Sequence, residues 1–165
     1  SELLVLGAAA GLILARVFWL DVRPSIFHDT RLVEGTVVGV TPQNIVFGDR
    51  IKLIGMDIHG EEVRLYWQGL AVMDTDYSIA LYLQDDAGVV LAQQDSQHPG
   101  LVPTTRWTPG QYAEDLHRFT LDTAPPAGEY QIVVAVYSGD GTLEGFDADG
   151  QVGHYVSVGK LRIAD

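Results

Sequence analysis

The five histidines, the side chains best suited to bind a transition metal or shuttle a proton near neutral pH, are scattered rather than clustered. His28, His59, His98, His117 and His154 show none of the H-x-H or H-E-x-x-H spacings that bring imidazoles onto one metal. There is no cysteine, which removes disulfides, thiolate metal sites and cysteine nucleophiles. Asp95, Ser96 and His98 are close along the chain. A serine nucleophile, however, needs a base held by an orienting group beside an oxyanion hole, and no G-x-S-x-G elbow frames Ser96. Catalysis would need at least two of Asp95, His98, Glu114 and His117 to share a cleft. Gly139 and Gly141 precede no helical pattern, so no phosphate-binding loop is expected and no cofactor is implied. The chain reads as non-catalytic.

The remaining candidates are acidic and aromatic. Asp140, Glu144, Asp147 and Asp149 surround a hairpin connection. Asp147-Ala148-Asp149-Gly150 is half of a calcium loop, lacking the third ligand and the bidentate glutamate at its proper distance. Asp-Gly is also a common hairpin turn, and a turn is the expected role here, with calcium the weak alternative. Tyr66, Tyr82, Trp107, Tyr112 and Tyr137 are the candidate binding surface. With Val133 and Ala135 the tyrosines would form an apolar patch if their strands are neighbours, serving a partner or stacking on sugars. The alternative is that loops or the N-terminal connector cover them.

These side chains need strands to position them. Short strand-like runs fall at Arg50–Ile58, Glu62–Gln68, Tyr77–Gln84, Gly88–Gln94, Leu116–Leu121, Glu129–Tyr137 and His154–Ile163, with a further candidate at Val33–Val40. Turn chemistry separates them, including His59-Gly60, Thr108-Pro109-Gly110 and Pro125-Pro126-Ala127-Gly128. Seven or eight short strands without a long helical pattern predict an all-β, antiparallel sandwich, Ig-like or jelly-roll-like. Alternation turns Val63, Leu65 and Trp67 inward, with Tyr77, Ile79, Leu81 and Leu83, and Tyr130, Ile132, Val134 and Val136. Tyr66, Tyr82 and Tyr137 then point outward.

Ahead of this domain, Leu3–Leu20 reads LLVLGAAAGLILARVFWL. As a helix it would span about 27 Å, close to the roughly 30 Å hydrocarbon thickness of a bilayer. Arg16 can snorkel, and Phe18 and Trp19 fall where an aromatic belt sits. Gly7 and Gly11 share one face and admit a partner helix. The alternatives are a helix packed on a protein surface, which the all-round apolarity disfavours, and a signal remnant, which the Glu2 start and Arg-Val-Phe-Trp end do not fit. The expected organisation is a transmembrane helix over 1–22, a connector over 23–43 and the β-sandwich over 44–165. A start at Ser1 instead of Met is what a fragment or processed product would show.

The net charge of −12 repels phosphate backbones and anionic headgroups, so nucleic acid is not an expected partner. Membrane lipid through Leu3–Leu20, partner helices and a glycan are. Arg16 and Arg23 lie on the C-terminal side of the apolar run, which by the positive-inside rule would put the domain in the cytoplasm.

From Val46 onward several segments form a pattern. They are Phe47-Gly48-Asp49-Arg50-Ile51-Lys52-Leu53-Ile54-Gly55, Leu65-Tyr66-Trp67-Gln68, Gln94-Asp95-Ser96, Pro103-Thr104-Thr105-Arg106-Trp107-Thr108-Pro109-Gly110 and Pro126-Ala127-Gly128-Glu129-Tyr130. Together they resemble the C-terminal β-sandwich module that follows the last span of certain bacterial polytopic membrane glycosyltransferases, the protein-mannosyltransferase-like class. The resemblance implies an extracytoplasmic module whose catalytic partner is the membrane-embedded part this chain lacks. The expected function is a non-catalytic, membrane-anchored assembly or binding module, either the tail of a glycosyltransferase-type membrane protein or an accessory subunit of a membrane complex, with extracytoplasmic carbohydrate binding through exposed aromatics as the alternative.

Overall fold

Strands with alternating apolar residues must bury one face against another layer, and here two antiparallel sheets stack on each other. The computed structural model describes residues 32–33, 36–121, 123 and 125–164. The apolar run with Gly7 and Gly11, and His28, lie outside the described residues. Among the described residues no helix is long and apolar enough to cross a membrane.

The elements are β1 (Leu32–Val33), β2 (Thr36–Val37), β3 (Thr41–Phe47), β4 (Ile51–His59), β5 (Glu62–Gly69), β6 (Ser78–Gln84), β7 (Val90–Ser96), β8 (Tyr112–Arg118), β9 (Gly128–Ser138), β10 (Gly141–Thr142), β11 (Gly145–Asp147), β12 (Gly150–Gly153) and β13 (Val156–Ile163). One sheet runs β12-β11-β3-β4-β5-β8. The other runs β7-β6-β9, and β9 pairs along its remaining side with β13 and β10. β1 and β2 form a separate small hairpin.

The inward residues expected from alternation all lie in one core that draws on both sheets. Trp67 is at its centre, fully buried and tilted against Phe47 with ring centroids 6.0 Å apart. Tyr130 enters the core from the start of β9, and its hydroxyl donates to the Pro126 carbonyl at 2.7 Å. That bond ties together the two ends of the Pro126-Ala127-Gly128-Glu129-Tyr130 run that leads into β9.

The structure departs from the sequence expectation on the N-terminal side. The single strand expected at Val33–Val40 is instead the β1-β2 hairpin, and β3 begins within the expected connector. Register shifts between Pro42 and Ile45 and between Leu53 and Gly55 break the period-2 pattern there. The second shift leaves both Leu53 and Ile54 buried, Leu53 in the main core and Ile54 on the outer side.

Candidate functional site

The two sheets treat their outer faces differently, and the difference marks a candidate site. On the β3-β4-β5-β8 sheet, Val37 of β2 folds down onto Ile54 and Tyr66, with Val40 and Tyr112 packed around them. Tyr66 is 0% exposed as a result. Gly55 makes this approach feasible, because a Cβ at that position would lie 2.8 Å from Val40 Cγ2. Beyond the apolar seam the face carries ion pairs. Arg64 Nη1 donates to Glu114 Oε1 at 3.0 Å, and Arg118 pairs with Glu62 and holds its carboxyl below the usual carboxylate range.

The opposite face, on β7-β6-β9-β13, carries no such cover among the described residues. Its rows follow from the register. Gln93, Tyr82, Val133 and Ser157 lie side by side, and Asp95, Ala80 and Ala135 form the next row. Tyr155, just ahead of β13, reaches this surface and meets Tyr82 edge-on, with ring centroids 5.8 Å apart and planes inclined at 63°. Ala80, Ala135 and Val133 are buried although they point outward, so small side chains floor the patch while tyrosine rings stand above it. Tyr82 and Tyr137 are half-buried, whereas Tyr155 is 59% exposed.

Polar groups rim these rings. Gln93 Nε2 donates to both carboxylate oxygens of Asp95, at 3.0 and 3.1 Å. Ser157 Oγ donates to Gln131 Oε1 at 2.6 Å. Burial pushes the Tyr82 phenol above its ordinary value, and the nearby Tyr155, Asp95 and Tyr137 push it further. A half-desolvated phenol beside a carboxylate is therefore kept neutral, as a hydrogen-bonding group.

The five aromatic residues expected to form one surface are thus separated. Tyr82 and Tyr137 lie on the open face. Tyr66 lies under the N-terminal strand on the other sheet, and Tyr112 beside it, its hydroxyl accepting from Gln68 Nε2 at 3.1 Å. Trp107 is 2% exposed, inside the main core. Its indole donates to the Val102 carbonyl at 3.2 Å, and its ring packs over Gly69. The loop that carries it is pinned by Thr104, whose hydroxyl accepts from the Tyr77 amide at 2.8 Å, and by Asp76, which accepts from the Thr105 amide at 2.9 Å. A tryptophan in a turn reads as exposed by local pattern; only long-range packing buries it.

The polar candidates are not gathered either. Asp95 is on one outer face, Glu114 on the other, His98 is half-buried just ahead of the Pro99–Leu101 turn, and His117 is in the interior. The open cleft of about 510 Å³ at one end of the sandwich is lined by Phe119, Leu121, Leu161 and Ile163 with Arg118 and Arg162, and by none of those four. Asp147 accepts the Asp149 and Gly150 amides at 2.9 and 3.1 Å, which makes it a turn residue of the β11-β12 hairpin. Asp140 lies in the β9-β10 turn, and Glu144 is 3.9 Å from His154. Among the described residues no three His, Cys, Asp or Glu converge as a metal would need.

Two features escaped sequence reading. Tyr155 completes the aromatic face, and nothing local indicates that β13 lies beside β9. Asp115 and His117, two residues apart on β8, both face the core at 5% and 1% exposure. His117 Nε2 donates to Asp115 Oδ2 at 2.7 Å. Their i,i+2 spacing was the available signal, since it puts both on one face of a strand. Neither residue lines the cleft at the end of the sandwich, and the pair forms a buried polar clamp on the edge strand β8.

No protein-family model matches the chain, and no curated protein matches it at significant similarity.

Proposed function

We propose that the chain is a non-catalytic recognition module, held at a membrane by Leu3–Leu20, whose ligand face is the outer surface of β7-β6-β9-β13. The observation that supports this most is the asymmetry of the two faces. One is closed by the chain's own N-terminal strand; the other exposes Tyr155 against Tyr82 above a floor of small side chains. Exposed aromatic groups with a polar rim are the usual composition of interaction surfaces. The covering strand β2 and the proposed ligand face lie on opposite outer faces of the sandwich. The resemblance to glycosyltransferase tail modules favours an extracytoplasmic placement, and the Gly7/Gly11 face is the surface proposed for a neighbouring membrane helix.

The test has an anchoring arm and a recognition arm. The full chain should partition into the detergent phase and co-purify stoichiometrically with membrane proteins in mild detergent. Gly7→Leu or Gly11→Leu should release those partners. Tyr155→Ala or Tyr137→Ala should abolish ligand capture, on a glycan array among other formats, while the fold persists. A full chain that stays in the aqueous phase as a free monomer, unaffected by these changes, would sink the proposal.

A further inference from the structure

Building on that reading, the corner between Tyr82 and Tyr155 is shaped and charged for a particular kind of ligand. Sugars stack on flat, open ring faces. Here the two ring planes stand at 63° and form two walls, with Tyr137 on the same face and the small Ala80 and Ala135 beneath. The π-face of a tyrosine is electron-rich and attracts cations, and a carboxylate beside it adds a full negative charge. Asp95 supplies that charge one row from Tyr82, and the Gln93 amide holds its carboxylate in place. Lys160, a basic residue on β13, is occupied by Glu129 at 3.2 Å. The net charge of −12 also draws cations toward the molecule.

We propose that this corner binds a small organic ammonium ion of the trialkylammonium, choline-like type. Such a group carries its charge under an apolar shell of CH groups. It can lie against tyrosine rings without giving up the tight hydration that a lysine ammonium or a metal ion must lose. Asp95 then balances the charge from the rim, and the tyrosine hydroxyls remain free to meet the rest of the ligand. A free small molecule and a lipid headgroup both offer this chemistry.

The experiment titrates the full chain, in micelles of a detergent without ammonium groups, with choline and tetramethylammonium, reading tyrosine fluorescence. Saturable, millimolar binding is expected, with affinity lost for the uncharged carbon isostere of choline. Tyr155→Ala and Asp95→Asn should each weaken binding by about tenfold, and Tyr112→Ala on the other sheet should leave it unchanged. Tyr155 is exposed enough for its variant to fold, which an unchanged melting temperature verifies. Competition of choline binding by phosphatidylcholine added to the micelles, but not by equally zwitterionic phosphatidylethanolamine, assigns the ammonium to a lipid headgroup; choline binding that neither lipid competes assigns it to a soluble molecule. Equal affinity for the isostere, or the absence of a saturable choline response, overturns the ammonium assignment. If a neutral oligosaccharide then binds in a Tyr155-dependent way, the recognition reading survives without it. If Tyr155→Ala and Tyr137→Ala alter no binding at all, both fall.

Discussion

The two outer faces of this molecule start from similar material and end differently. Each places tyrosines on the outward positions of central strands: Tyr66 on β5, Tyr82 and Tyr137 on β6 and β9. On the first face a glycine notch at Gly55 admits Val40, Val37 closes over Tyr66, and the tyrosine becomes part of a second small core. On the second, no strand among the described residues arrives, and the rings stand over the alanines and valine below them. A tyrosine on a sheet is therefore structural or available according to what the rest of the chain lays across it, and its own strand does not say which.

The largest effect that separates the faces is truncation of each tyrosine. Tyr66→Ala removes a fully buried ring and is expected to destabilise by about 3–4 kcal/mol. Tyr155→Ala, on the open face, should change stability by less than ~1 kcal/mol. Chemical denaturation of both variants measures the contrast, and similar losses would erase it. Breaking the interior clamp gives a reference of comparable size. His117→Ala strands a buried carboxylate and should cost on the order of 3 kcal/mol.

A smaller effect tests the notch. Gly55→Ala puts a Cβ 2.8 Å from Val40 Cγ2 and should lose about 1–2 kcal/mol through overpacking. Val40→Ala in the same chain should recover part of that loss, and a double-mutant cycle reads the coupling. Strict additivity would mean that the N-terminal strand does not seat there.

On the open face, pH provides the comparison. Burial raises the Tyr82 phenol in the folded chain, so folding favours its neutral form. That contribution is complete below the unfolded value and is lost as pH rises through the folded one. Ultraviolet titration of the chain against Tyr82→Phe should show the phenol ionising late, and Asp95→Asn should bring it earlier. The smallest effect belongs to the covered face, where Arg64 and Glu114 form a half-exposed pair. Glu114→Gln should cost roughly 0.5 kcal/mol or less, and less still in high salt.

Regular strands were legible because their signal is local. Val63, Leu65 and Trp67, or Ile132, Val134 and Val136, announce their inward face two residues at a time, and the structure places each of them in the core. β3 and the outward burial of Ile54 were not legible, because register shifts interrupt that period. The site was legible in part. Tyr82 and Tyr137 could be read as outward-pointing, but their separation from Tyr66 and their union with Tyr155 depend on which strands pair. Strand order is a long-range property that alternation does not encode. Trp107 shows the same limit from the other side: its turn motif is plain in the sequence, while its burial depends on Gly69, far along the chain.

Tyrosine nitration, mapped by mass spectrometry on the folded chain, tests the asymmetry of the faces most directly. The expected result is rapid modification of Tyr155, slower modification of Tyr82 and Tyr137, and protection of Tyr66 until unfolding. Tyr66 reacting as fast as Tyr155, or Tyr155 protected in the isolated chain, would contradict the assignment of one closed face and one open one.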